Sequence, residues 1–124
     1  MKDLGKTLEY WLEVLSLKEW EIQIQDNCDN WEFKNENSYG ECTYDLTHKL
    51  ASIKLLDEKY VPKNPFYQYD KETTLVHELL HCKFALIDDS GNDIVDRVIH
   101  QLVNDFACAL IKVKREKGGA NGGN

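Results

Sequence analysis

The sequence predicts an α+β domain: an N-terminal helix, a small and mostly antiparallel sheet of three or four strands, then two packed helices. Three observations carry that expectation. Apolar residues recur at helical spacing near both ends of the chain, they alternate with polar ones in between, and 124 residues at 42% hydrophobic suit one core rather than two.

Leu4, Leu8, Trp11, Leu12 and Leu15 repeat with charges between them, which makes residues 3–16 an amphipathic helix. Trp20, Ile22 and Ile24 then alternate with Glu21, Gln23 and Gln25, the pattern of a half-buried strand. Residues 26–37 are polar and rich in Asn, hold Trp31 and Phe33, and read as a hairpin loop or an irregular short strand. Stretches 39–46 and 50–56 flank Thr47-His48-Lys49, and Ala51, Ile53 and Leu55 alternate with Ser52 and Lys54, so the two stretches pair as a hairpin.

Pro62 and Pro65 break the chain across 57–69, an exposed loop with Tyr60, Phe66, Tyr67 and Tyr69. Asp70 is placed to cap a helix over residues 71–87. A turn follows at 88–92, with Ser90 and Asp93 matching a capping box for the last helix. That helix carries Val95, Val98, Ile99, Leu102, Phe106, Leu110 and Val113 as its expected buried stripe. One domain therefore spans 1–117, and the Gly- and Asn-rich residues 118–124 form a disordered tail.

With 22 acidic against 15 basic residues the net charge is −7. Such a surface has no cationic excess to release counterions, which argues against a nucleic-acid or anionic-membrane partner. The basic run Lys112, Lys114, Arg115, Lys117 is expected to complement a helix C-terminus. No apolar stretch reaches membrane-spanning length, and Glu9 and Glu13 interrupt any signal-peptide core, so a cytoplasmic protein is expected. Cys28, Cys42, Cys82 and Cys108 form no C-x-x-C pair and are expected as free thiols, with Cys82 as buried filler.

The chemistry-bearing feature is His77-Glu78-Leu79-Leu80-His81, inside the helix at 71–87. Residues four apart share a helix face, so His77 and His81 can offer imidazole nitrogens to one metal ion. Glu78 lies about 100° further round the helix, where a carboxylate acts as general base on a metal-bound water rather than on the metal. A catalytic zinc needs a third protein ligand and an open position. The short turn makes the last two helices pack antiparallel, which brings forward His100 and Asp96. His100 is the favoured third ligand, while Asp96 suits either ligation or holding an imidazole tautomer. Glu72, Asp105 and Glu116 are weaker candidates.

The pentad, followed by His100-Gln101-Leu102-Val103-Asn104-Asp105-Phe106-Ala107, resembles the zincin metallopeptidases. It is similar in particular to small phage- and prophage-type metallopeptidases and to the ImmA/IrrE-like proteins. The latter carry a glutamate ligand followed by Ala-Asn-x-Phe-Ala; here Asn104, Phe106 and Ala107 match, Val103 replaces the alanine, and His100 stands at the ligand position. The resemblance covers residues 39–113. It implies Zn2+ as cofactor and a peptide substrate bound in extended form along a sheet edge, for which Ala51–Leu55 is the expected strand. The expected activity is peptide-bond hydrolysis with Glu78 as general base. A metal-stabilised regulatory or protein-binding module with little catalysis is the alternative. Tyr60, Tyr67, Tyr69 and His48 are possible oxyanion donors, none of them singled out by the sequence.

Overall fold

A computed structural model describes residues 3–35, 38–63, 68–88 and 90–120. Its order is α1 (Leu4–Val14), β1 (Glu21–Cys28), β2 (Gly40–Asp45), β3 (Leu50–Leu56), α2 (Lys71–Lys83) and α3 (Asp93–Ala120), with short 3-10 turns at Asn30–Glu32 and Glu58–Tyr60. This is the α+β arrangement of one helix, a small sheet and two packed helices.

The three strands lie in the order β1-β3-β2. The hairpin forms as expected: β2 runs antiparallel to β3, with Cys42 opposite Ile53 and Tyr44 opposite Ala51. Strand β1, however, pairs parallel with the far side of β3, placing Ile22 opposite Ala51 and Ile24 opposite Ile53. The sheet is therefore mixed rather than mostly antiparallel. The segment after β1 is a crossover past β3, not a hairpin loop, because a parallel neighbour cannot be reached by a tight turn. Strand β3 is thus the central strand, and the expectation of a sheet edge at Ala51–Leu55 is overturned. The edges are β1 and β2. A central strand buries more, which matches the exclusion of Ile53 and Leu55 from solvent.

Helix α2 packs against β2 and β3 on one side, α3 on another, and α1 near its start. Its residues Thr74, Leu75, Val76, Glu78, Leu79, Leu80 and Cys82 are all buried. A helix covered nearly all round shows weak amphipathicity, because no face needs to be polar. The Asp70 carboxylate accepts from the backbone N–H of Glu72 (3.1 Å) and Thr73 (3.2 Å), so the expected cap is present. The helix ends at Lys83, short of the expected 87. Beyond it the backbone turns through Phe84–Asp88, and Leu86 and Ile87 face solvent.

Helix α3 differs from expectation in its cap and its buried seam. Asn92, not Ser90, caps it, accepting from the N–H of Ile94 (3.0 Å) and Val95 (3.1 Å). Its buried positions are Ile99, Val103, Ala107 and Ile111, whereas Val95, Val98, Leu102, Phe106 and Val113 are exposed. The seam lies about one residue further round because small Val103 and Ala107 let α3 approach α2 closely. Its backbone is helical through Ala120, within the span 118–124 expected as a tail; residues 121–124 lie outside the described ones.

Of the basic run, Lys117 stands in the last turn of α3 as expected, while two other members reach across to α2. Lys114 pairs with Glu72, and Arg115 with Asp70, tying α3 to the first turn of α2. Trp11 of α1 joins the same knot by donating its indole N–H to Glu72 at 2.8 Å. A second, smaller cluster of Cys28, Phe33 and Leu56 takes in Tyr39, Val61 and Tyr69. Tyr69 therefore belongs to packing, its hydroxyl donating to the Leu56 carbonyl at 2.9 Å. Phe66 and Tyr67 lie outside the described residues. Among the described residues, no helix is long and apolar enough to cross a membrane.

Candidate metal centre

His77 and His81 project from one face of α2, and the antiparallel approach of α3 brings His100 against them. Ring centroids are 5.2 Å apart for His77–His81, 5.4 Å for His77–His100 and 6.1 Å for His81–His100. One ligand nitrogen from each lies within 4.8 Å of the others. Three nitrogens around one tetrahedral zinc sit about 3.4 Å apart. Small side-chain rotations close that gap, and His100, exposed on α3, is free to make them. The donor set fits a borderline metal such as zinc, because imidazole is a neutral, well-matched ligand.

The structure brings His100 into the cluster and leaves Asp96 out of it. Asp96 instead accepts from the N–H and hydroxyl of Ser90, both at 2.8 Å, and so braces the turn before α3. Glu72 is held by Trp11, Lys114 and Arg115 at the far end of α2.

Burial pushes the His77 imidazolium down to about 4, with His81 and His100 adding repulsion, so the ring is neutral and ready to ligate. Glu78 is 7% exposed. Burial first, then the charges of Glu41 and Asp88, push its carboxyl up to about 8. Among the described residues nothing hydrogen-bonds that carboxyl, which leaves its lone pairs for a molecule in the cleft. A dication held by the neighbouring imidazoles would oppose these carboxylates and favour the ionised form of Glu78.

Gly40 sets the opposite wall. An added Cβ there would stand 2.5 Å from Thr74 Cγ2, 2.9 Å from Glu78 Oε2 and 3.2 Å from Glu78 Cγ. The bare backbone is thus what lets β2 lie against the face of α2 that carries Thr74 and Glu78. Between them runs a cleft of about 520 Å3, lined by Tyr39, Gly40, Cys42, His77, Glu78, His81 and His100 among others. A more open groove of about 1000 Å3 continues from it past Asp88, His100 and Asn104 toward Asp93 and Arg97.

Asp88 closes the far end. Its Oδ2 lies 3.1 Å from His81 Nδ1 and accepts from the Tyr44 hydroxyl at 3.2 Å. The sequence marks Asp88 as part of a turn, and Tyr39 and Gly40 as part of a strand, with no site role for any of the three. Of the proposed oxyanion donors, His48 is turned to Asp45 at 2.7 Å and Tyr69 to Leu56, so neither enters the cleft. Tyr60 is not among the cleft's lining residues, and Tyr67 lies outside the described ones. Cys42 and Cys82 meet beneath the cleft with sulfurs 3.7 Å apart, and all four cysteines are free thiols.

Compared with protein-family models, curated proteins and solved structures, the chain matches none.

Proposed function

We propose that the protein is a zinc-dependent endopeptidase that acts on an extended stretch of a protein substrate. The observation that carries this reading is the convergence of His77, His81 and His100 beside Glu78, a largely buried residue whose carboxyl has no hydrogen-bond partner among the described residues, on the floor of a cleft open to solvent. Zinc held by the three imidazoles supplies Lewis-acid polarisation of a carbonyl and makes water acidic near neutral pH.

The protein's own groups do the rest. Glu78 takes the proton from the attacking water and hands it to the leaving amine. Its burial excludes bulk solvent and keeps the carboxylate basic. Gly40 holds β2 against Glu78, and the outer edge of β2, which pairs with no described strand, offers backbone groups along the cleft to an extended peptide. The edge used is therefore β2, in place of the Ala51–Leu55 segment. The resemblance of the pentad and of the His100–Ala107 stretch to zincins of the phage and ImmA/IrrE-like type supports the same reading.

The test is Glu78→Gln. This variant is expected to bind zinc like the wild type and to lose peptide hydrolysis by at least about 100-fold, the scale of general-base loss. If wild type and variant both bind zinc and neither cleaves a peptide library, the site is a metal-stabilised binding module and the enzyme reading fails.

A further inference from the structure

Of the three clustered imidazoles, only His81 has a hydrogen-bonded partner on its other ring nitrogen among the described residues. That partner is the Asp88 carboxylate, 3.1 Å from Nδ1. A carboxylate only accepts, so a neutral His81 in this bond carries its proton on Nδ1 and keeps its lone pair on Nε2. We propose that Asp88 is a positioning residue that fixes His81 in the Nδ1–H tautomer and so presents Nε2 as its ligand atom. The proposal rests on the metal-holding role of the three histidines, and it deepens that role.

The surroundings show why Asp88 rather than any other carboxylate takes this part. Its backbone N–H donates to the Phe84 carbonyl at 2.8 Å, fixing it in the turn that ends α2. Tyr44, from β2, donates its hydroxyl to the same Oδ2 at 3.2 Å. Tyr44 is in turn seated edge-on against Trp20, with ring centroids 6.5 Å apart. The carboxylate is thus oriented from two independent elements, and among the described residues His81 is the imidazole it bonds. Both members of the pair are largely shielded, with side-chain exposures of 17% for His81 and 19% for Asp88, and a hydrogen bond in such a setting holds its geometry better than one in water. Asp96, the carboxylate first expected in this role, is committed to Ser90.

The protonated nitrogen can be read directly. In metal-free protein labelled with 15N in its imidazoles, at about pH 8.5 and so above the ordinary histidine range, the His81 resonances are expected to report the Nδ1–H form. Asp88→Ala should shift His81 toward Nε2–H and weaken zinc binding by about 10–100-fold, the usual effect of losing such a partner. Asp88→Asn keeps an acceptor and the turn, so it guards against misfolding; it should retain the Nδ1–H form with a smaller loss of affinity. Tyr44→Phe leaves the His81 bond intact and should leave the tautomer unchanged. An Nε2–H signal in the wild type, or a tautomer indifferent to Asp88→Ala, overturns the proposal. Failure of the wild type to bind zinc instead overturns the metal reading, and the tautomer measurement still decides the role of Asp88.

Discussion

Replacing Gly40 by Ala adds one methyl group at the point where β2 meets α2. Carbon atoms in ordinary contact lie about 3.5–4.0 Å apart. The new Cβ would stand 2.5 Å from Thr74 Cγ2 and 2.9 Å from Glu78 Oε2, so one wall must move by about 1 Å. Thr74 cannot swing away freely, because its hydroxyl donates to the Asp70 carbonyl at 3.1 Å. Overpacking of this kind costs about 1–3 kcal/mol. Gly40 does not have a positive φ, so the substitution also gains about 0.4–1 kcal/mol by restricting the unfolded chain. The midpoints leave a net loss of about 1.3 kcal/mol, within a span of roughly 0–2.6, read at the midpoint as a Tm lower by roughly 4–8 °C in a domain of this size. Thr74→Ser removes Cγ2 and keeps the hydroxyl. In the double variant it should recover part of the loss, with a coupling of about 0.5 kcal/mol or more in a double-mutant cycle. Calorimetry on the four proteins reads all of this. A Gly40→Ala variant as stable as the wild type, or losses that simply add, would refute the close approach of β2 to Glu78.

Three further outcomes follow from the packing and the charges. Burial alone would raise Asp70 and Glu72, but bonds from Arg115 and Thr73 to the first, and from Lys114 and Trp11 to the second, outweigh it and hold both carboxyls below their ordinary values. Their stabilisation is therefore present above the ordinary carboxylate range of about 4 and is lost as pH falls through the lowered values. Arg115→Gln should make the urea midpoint less dependent on pH between about 5 and 2; an unchanged acid limb would count against the knot. Ile53→Ala empties a fully excluded position on the central strand and should cost about 2–5 kcal/mol in urea unfolding, where a loss near zero would contradict a central β3. Asn92→Ala should cost about 0.5–2 kcal/mol by uncapping α3. Ser90→Ala, if Asn92 is the cap, should cost less.

The parts of this molecule that are legible in sequence depend on short-range periodicity. Alternation about Ala51, Ile53 and Leu55 marks β3, the Thr47-His48-Lys49 turn marks its hairpin, and Asp70 marks the start of α2. The same alternation cannot say which strand β1 joins, since a parallel partner is selected by a crossover whose residues carry no pairing signal. The α3 seam was misplaced for a related reason. Large apolar residues dominate a helical pattern, yet close packing on α2 selects Val103 and Ala107 and leaves Leu102 and Phe106 outside. At the site, the pentad spacing places His77, Glu78 and His81 directly, and antiparallel packing is enough to bring up His100. Asp88 and Gly40 were hidden because their roles depend on contacts with Tyr44 and with Thr74 and Glu78, which no local pattern encodes.

The central claim is that three histidines from two helices form one metal site, and His100 is its most exposed member. Titration calorimetry of zinc into metal-free wild type and His100→Ala tests it most directly. A site built from His77, His81 and His100 predicts one zinc per wild-type chain and an affinity lower by at least about 100-fold in the variant, since one of three protein ligands is gone. Equal zinc affinity in the two proteins, or none in the wild type, would contradict it.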